Sequence, residues 1–329
     1  MVITENVPLA PLTTLKVGGP ARYFLEAMSV AEVSEAVEFS RSRNLPLFVL
    51  GGGSNLVISD AGWPGLVLKI GITGINHRHG HDEVVFEVGA GEDWDKFVGM
   101  VVTHNIAGLE CLSGIPGSVG ATPVQNVGAY GEEVGNTIES VLVLDLRDRQ
   151  LRELGKEECA FSYRTSIFNT SERGRYIILQ VNYLLKHGGE AYIAYADLKK
   201  YFAGWNKKPT LADTRDAVKK IRAGKGMLIV PGDDDCRSAG SSRWSGTRTQ
   251  QPGLWLQLSH QHFQLYRAGK IHHLAGELFV EARRRGARRV CRPQEILCGM
   301  EREANLGQRS RRGKKNQSRE RHAHYCRRR

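Results

Sequence analysis

Leu112-Ser113-Gly114-Ile115-Pro116-Gly117-Ser118-Val119-Gly120-Ala121-Thr122-Pro123-Val124-Gln125-Asn126-Val127-Gly128-Ala129-Tyr130-Gly131 runs without a single charged side chain. A solvent loop of this length normally carries charge. A backbone packed against a large planar or phosphorylated ligand accounts for its absence, because glycine lets the main chain approach closely and leaves amide N–H groups free to face an anion. Gln125 and Asn126 add side-chain amides suited to recognising amide edges. A buried structural loop explains single residues of this stretch, but not the block.

Two further segments share this character. Leu50-Gly51-Gly52-Gly53-Ser54-Asn55-Leu56 follows an apolar strand directly. It matches neither the G-x-G-x-x-G fingerprint nor a Walker loop, so the common dinucleotide and nucleotide-triphosphate motifs lose support. In Phe161-Ser162-Tyr163-Arg164-Thr165-Ser166-Ile167-Phe168-Asn169 an arginine sits among aromatic and hydroxyl residues. Arginine can grip a carboxylate through two parallel hydrogen bonds, although a lone arginine more often ends in a surface ion pair.

Around these motifs the chain alternates strands and helices. Strand composition is found at 22–27, 45–50, 66–70, 83–88, 140–146 and 177–185. Helical spacing predicts Ser29–Arg43 with a serine cap, Asp93–Asn105, and Leu211–Ala223 with Thr210 or Asp213 near its start. This is an α+β pattern without a regular βαβ repeat. Met1–Ala21 lacks a basic region followed by an apolar core, and no apolar stretch is long enough to span a bilayer. A cytoplasmic chain without membrane insertion is expected. The six cysteines form no CxxC pair, so free thiols and no metal site are expected.

The net charge of +11 suggests a nucleic-acid partner until its distribution is considered. Residues 242–329 hold 21 of the 46 Lys and Arg but only 6 of the 35 Asp and Glu, leaving 25 basic and 29 acidic residues in the first 241. The main body is therefore mildly acidic. The last segment has 18 arginines, no aspartate and little apolar periodicity. Its texture is that of a disordered basic tail or a shifted reading frame, and no nucleic-acid recognition module is evident.

Together, Thr14–Ala21 (TLKVGGPA), GGGSNL at 51–56, GIPGSVGATPVQNVGAYG at 114–131 and FSYRTSIF at 161–168 resemble, in order and spacing, the signatures of the UDP-N-acetylenolpyruvoylglucosamine reductase (MurB) family. The resemblance covers about residues 7–241. It implies an α+β protein with an FAD-binding domain of the vanillyl-alcohol-oxidase (PCMH) type at 17–186, after an N-terminal segment at 1–16. The start of a smaller α+β substrate domain follows at 187–241. That domain is expected to be incomplete, because 242–329 does not match.

The resemblance also implies site residues. Non-covalent FAD would contact Gly51, Gly52, Gly53, Ser54, Asn55, Leu56, Ser113, Gly114, Ile115, Pro116, Gly117, Gly120 and Ala121. The sugar nucleotide would contact Tyr195, Arg222 and Lys225. Arg164 and Ser241 would be catalytic, with Ser241 the proton donor in Ser238-Ala239-Gly240-Ser241, where the family motif breaks off. The implied reaction is NADPH-dependent reduction of the enolpyruvyl ether of UDP-N-acetylglucosamine by a monomer, in peptidoglycan synthesis. Another flavin oxidoreductase of the same fold, or a catalytically impaired flavin-binding remnant, are the alternatives.

Overall fold

The computed structural model describes residues 1–227 and the backbone strands at 254–258, 262–267 and 270–275. In chain order the elements are β1 (Thr4–Pro8), β2 (Pro20–Ala27), α1 (Val30–Ser42), β3 (Leu47–Leu50), β4 (Leu56–Ile58), β5 (Trp63–Ile70), β6 (Ile75–His79), β7 (Glu83–Gly89), α2 (Trp94–Thr103) and β8 (Ile106–Ala107). The short hairpin strands β9 (Gly128–Ala129) and β10 (Glu132–Glu133) follow, then β11 (Ile138–Asp145), β12 (Leu151–Gly155), β13 (Tyr176–His187), α3 (Ala196–Phe202) and α4 (Leu211–Gly224). Strands β14 (Leu254–Leu258), β15 (His262–Arg267) and β16 (Lys270–Ala275) form an antiparallel meander whose β14 pairs with β4.

Two sheets share one core. The first has the order β1-β2-β5-β3, with β2, β5 and β3 parallel and α1 packed on β2 and β5. Its central strand is apolar on both faces. Leu66 and Leu68 enter the main core, while Val67 between them joins Leu9, Ala21, Leu50 and Ile58 on the opposite face. A strand buried on both sides reads as a continuous apolar run. The second sheet is antiparallel in the order β12-β11-β13-β7-β6, with β8 pairing the end of β13. Its β7 and β13 bury Val84, Phe86, Val88, Val181, Tyr183 and Leu185 against α2 and the first sheet's core residues.

The helix signals operate as their residue types dictate. Ser29 caps α1 by accepting from the Glu32 amide, and Asp93 caps α2 by accepting from Lys96. At α4 both expected residues act: Thr210 is the cap and Asp213 closes a reciprocal capping box. Helices α3 and α4 bury Leu198, Phe202, Ala217 and Val218 against Cys111 and Tyr130, so the segment after β13 is seated on the glycine-rich stretch. Cys111 and Cys159 are buried free thiols.

Candidate active site

The core anchors the glycine-rich stretch before any ligand is considered. The Trp94 indole donates to the Leu112 carbonyl at 3.0 Å, and the Tyr183 and Thr122 hydroxyls are hydrogen-bonded at 2.8 Å. Buried Ser113 donates to the Glu110 carbonyl at 2.6 Å. The Gly114 amide donates to Asp95 at 2.7 Å, and Asp95 also receives both terminal nitrogens of Arg215 at 2.7 and 2.9 Å. One carboxylate thus ties the loop to α4. Burial pushes Asp95 up, but the Arg215 hydrogen bonds, the Gly114 amide and nearby cationic charge outweigh it and hold the group below the usual carboxylate range.

The turn at Gly51–Asn55 lies directly against this stretch. A Cβ on Gly52 would sit 2.7 Å from the Gly117 Cα, closer than any real side chain tolerates, so the two loops meet backbone to backbone. Gly53 has φ +66° and faces the Leu12 carbonyl, a position only glycine fills without strain. The Ser54 hydroxyl donates to the Pro116 carbonyl at 2.9 Å, and the Asn55 amide donates to Gln125 Oε1 at 3.2 Å. Among the described residues, the main-chain N–H groups of Gly52, Gly53, Ser54 and Asn55 donate to no protein group. Leu56 begins β4, Gly120 sits tight against Ala90, and Ala121 flanks Gly51.

The third motif forms a tight turn in which the Ser162 and Thr165 amides and carbonyls bond reciprocally at 3.0 Å, with Tyr163 and Arg164 at its tip. Arg164 adopts φ +54°, an uncommon left-handed conformation for a non-glycine residue. Three contacts hold it there. Asn126 donates to the Ser162 carbonyl at 2.9 Å, Asn169 donates to the Arg164 carbonyl at 3.2 Å, and Ser166 donates to the Val124 carbonyl at 2.7 Å. Among the described residues Arg164 forms no ion pair, and its buried Nε has no partner. The expected amide-edge role of Asn126 is not what the structure shows. This residue is buried, its amide is spent on Glu133 and Ser162, and its oxygen accepts from the Gly135 amide.

These segments surround one cavity of about 590 Å³. Ser54, Asn55, Ile115, Pro116, Arg164, Tyr195, Arg222 and Lys225 all line it. Gly51, Gly52, Gly53, Leu56, Ser113, Gly114, Gly117, Gly120 and Ala121 are not in its lining but support the two loops that are. Tyr195, the N-cap position of α3, packs edge-on against Tyr130 with ring centroids 5.4 Å apart. Arg222 is buried, donates to the Gly114 carbonyl at 3.2 Å, and its pKa is lowered by desolvation. Lys225 pairs with Asp197 at 2.5 Å, a contact that holds its pKa above the usual lysine value. Ser241 lies outside the described residues. Tyr130, Glu132, Tyr163 and Asp197 also line the cavity without having been singled out. The first three lie inside or beside the quoted motifs, where backbone chemistry drew attention away from side chains.

A model of the FAD-binding domain family matches residues 21–154. The UDP-N-acetylenolpyruvoylglucosamine reductases of Thermobifida fusca and Streptomyces avermitilis are each 44% identical over 240 residues, 72% of this chain and 67% and 65% of theirs. This chain belongs to the UDP-N-acetylenolpyruvoylglucosamine reductase family. A crystal structure of the reductase (MurB) from Thermus caldophilus agrees at 26% identity and a TM-score of 0.50, covering 68% of this chain and 71% of that one. The match thus spans about two thirds of the length of these reductases. It confirms the expected α+β architecture with an FAD-binding domain. The residues present fit that cofactor: main-chain amides at 52–55 that donate to no described protein group, and two loops that meet backbone to backbone at Gly52 and Gly117. Among the described residues no helix is long and apolar enough to cross a membrane, and no cluster of metal-ligating side chains occurs.

Proposed function

We propose that this chain reduces the enolpyruvyl ether of UDP-N-acetylglucosamine to the lactyl ether, with NADPH as reductant and non-covalent FAD. It would act as a monomer in the cytoplasm, in peptidoglycan synthesis. One observation carries the reading: the glycine-rich turn, the charge-free stretch, the arginine turn and the later Tyr195, Arg222 and Lys225 converge on a single cavity.

FAD, when bound, supplies two-electron hydride chemistry; Gly51–Leu56 and Ser113–Ala121 would hold it, the amides of 52–55 being free to donate to an anionic group. The remaining work belongs to side chains. Arg164 carries a guanidinium whose buried Nε has no partner among the described residues, and a substrate carboxylate would complete it. As negative charge grows on that carboxylate during reduction, a fixed cation stabilises the transition state more than the ground state. Arg222 and Lys225 set positive charge on the same cavity, suited to a pyrophosphate, and Tyr195, which also lines it, would cover the nucleotide. Ser241 would deliver a proton to the carbon beside the carboxylate, a role worth on the order of 10²–10⁴ in rate. The test is Arg164→Ala: turnover of the enolpyruvyl substrate should collapse while flavin content is retained. Equal turnover by the variant would return Arg164 to a structural role.

A further inference from the structure

Glu132 lines the cavity, and its strand β10 packs on the turn at 110–112 that carries the buried Glu110. Two neighbouring carboxyls, one buried and one half-buried, cannot both carry charge comfortably. Their surroundings differ. Glu110 accepts from the Gly108 amide at 2.9 Å and from the Tyr192 amide at 3.0 Å. Glu132 has a buried Oε2 with no partner among the described residues, and it lines the cavity. Burial, and then the charge of Glu110, push Glu132 up to about 7, only partly offset by Cys111.

The other groups nearby are committed or neutral. Cys111 donates to the Tyr192 carbonyl at 3.2 Å, and burial pushes its thiol far up. Glu133 accepts from Asn126 at 2.8 Å. Tyr192 lies over Gly131, and Tyr130 is held neutral, its pKa raised chiefly by burial. Arg164, Arg222 and Lys225 line the same cavity, the last paired with Asp197.

We infer that Glu132 meets the ligand as a neutral carboxyl, donating a hydrogen bond from the cavity wall to an acceptor oxygen of the anionic sugar nucleotide. The inference rests on the reading of the cavity given above. It makes Glu132 a binding residue of its own. Above neutral pH its ionisation sets a negative charge against an anionic ligand and removes the donor, so affinity falls.

Two measurements on the full chain separate this inference from that reading. Infrared difference spectra of wild type minus Glu132→Gln, without ligand, should show the C=O stretch of a protonated carboxyl at pH 6 that is lost by pH 9. Calorimetric titration with UDP-N-acetylglucosamine enolpyruvate, in buffers of different ionisation enthalpy, should show proton uptake at pH 8. Affinity should fall up to about tenfold per pH unit above 7, the limit for one ionisation. Glu132→Gln, a neutral donor, should lose both the uptake and the fall, whereas Glu132→Ala should weaken binding about tenfold at neutral pH. Absence of the carboxyl band, or a Glu132→Gln chain that keeps the wild-type pH profile, overturns the inference. The band without nucleotide binding at any pH overturns the reading of the cavity instead, and removes the ligand assigned to Glu132 with it.

Discussion

Arg164 shows how much of the site depends on main-chain geometry. Its left-handed backbone is held by amide side chains on either side of it in sequence, and its Nε has no partner among the described residues. Arg164→Ala is expected to slow substrate reduction by roughly 10²–10³, the range for losing one fixed charge-stabilising donor. Single-turnover kinetics with reduced protein would measure it. Asn126→Ala should produce part of the same kinetic defect from a distance. It strands the Gly135 amide and frees the Ser162 carbonyl, at a cost of about 2 kcal/mol or more in denaturant melts. Because both changes act on one turn, the double variant should lose less than the sum of the two. The motifs were legible in the sequence, since charge-free glycine runs and an arginine among hydroxyls stand out. The use of Asn126 was not legible: an amide that binds a ligand and one that braces a turn look alike until burial is known.

At the scale of elements, α4 is fixed to the glycine-rich stretch by charge. Asp95 takes the Gly114 amide and Arg215 together, and Arg222 donates to the Gly114 carbonyl from the same helix. Asp95→Asn keeps the size but weakens the pair. It is expected to raise the apparent Kd for the nucleotide substrate severalfold while FAD release changes little, because Arg222 and Lys225 ride on α4 and the amides of 52–55 do not. Equilibrium binding of each ligand checks this. Long apolar strands and capped helices were readable because their periodicity and end signals are local. The additional strands β1, β6 and β12 carry mostly exposed or half-buried residues, so no apolar run marked them, and β4, though apolar, is only three residues long. The short pieces β8, β9 and β10 are two residues each and are defined only by their partners. Tyr195 stands at the start of α3 and half exposed at the cavity mouth, not in the core.

Across the whole molecule, charge is distributed unevenly. The body keeps specific ion pairs. Hydrogen bonds from Arg175 hold the fully buried Asp145 at about 2 against the cost of burial. A depressed carboxylate contributes stability above its unfolded pKa of about 4 and loses it as pH falls through 2. Thermal melts of wild type and Asp145→Asn should therefore differ most above pH 4 and converge towards pH 2. The Thermobifida fusca reductase aligns over 240 residues, 72% of this chain, and we propose that the Arg-rich residues 242–329 stand where the family's C-terminal part belongs. Substituting a family-type continuation after Ser241 is expected to raise the rate of substrate reduction more than that of reduction by NADPH. Equal rates before and after would make 242–329 a functional third segment. The most direct measurement of the proposed activity is anaerobic: protein reduced by NADPH is mixed with UDP-N-acetylglucosamine enolpyruvate while the visible absorbance of bound flavin is followed. Return of the oxidised spectrum with that substrate, and not with UDP-N-acetylglucosamine, is the expected result; a flavin that stays reduced, or a colourless protein that ignores added FAD, would contradict it.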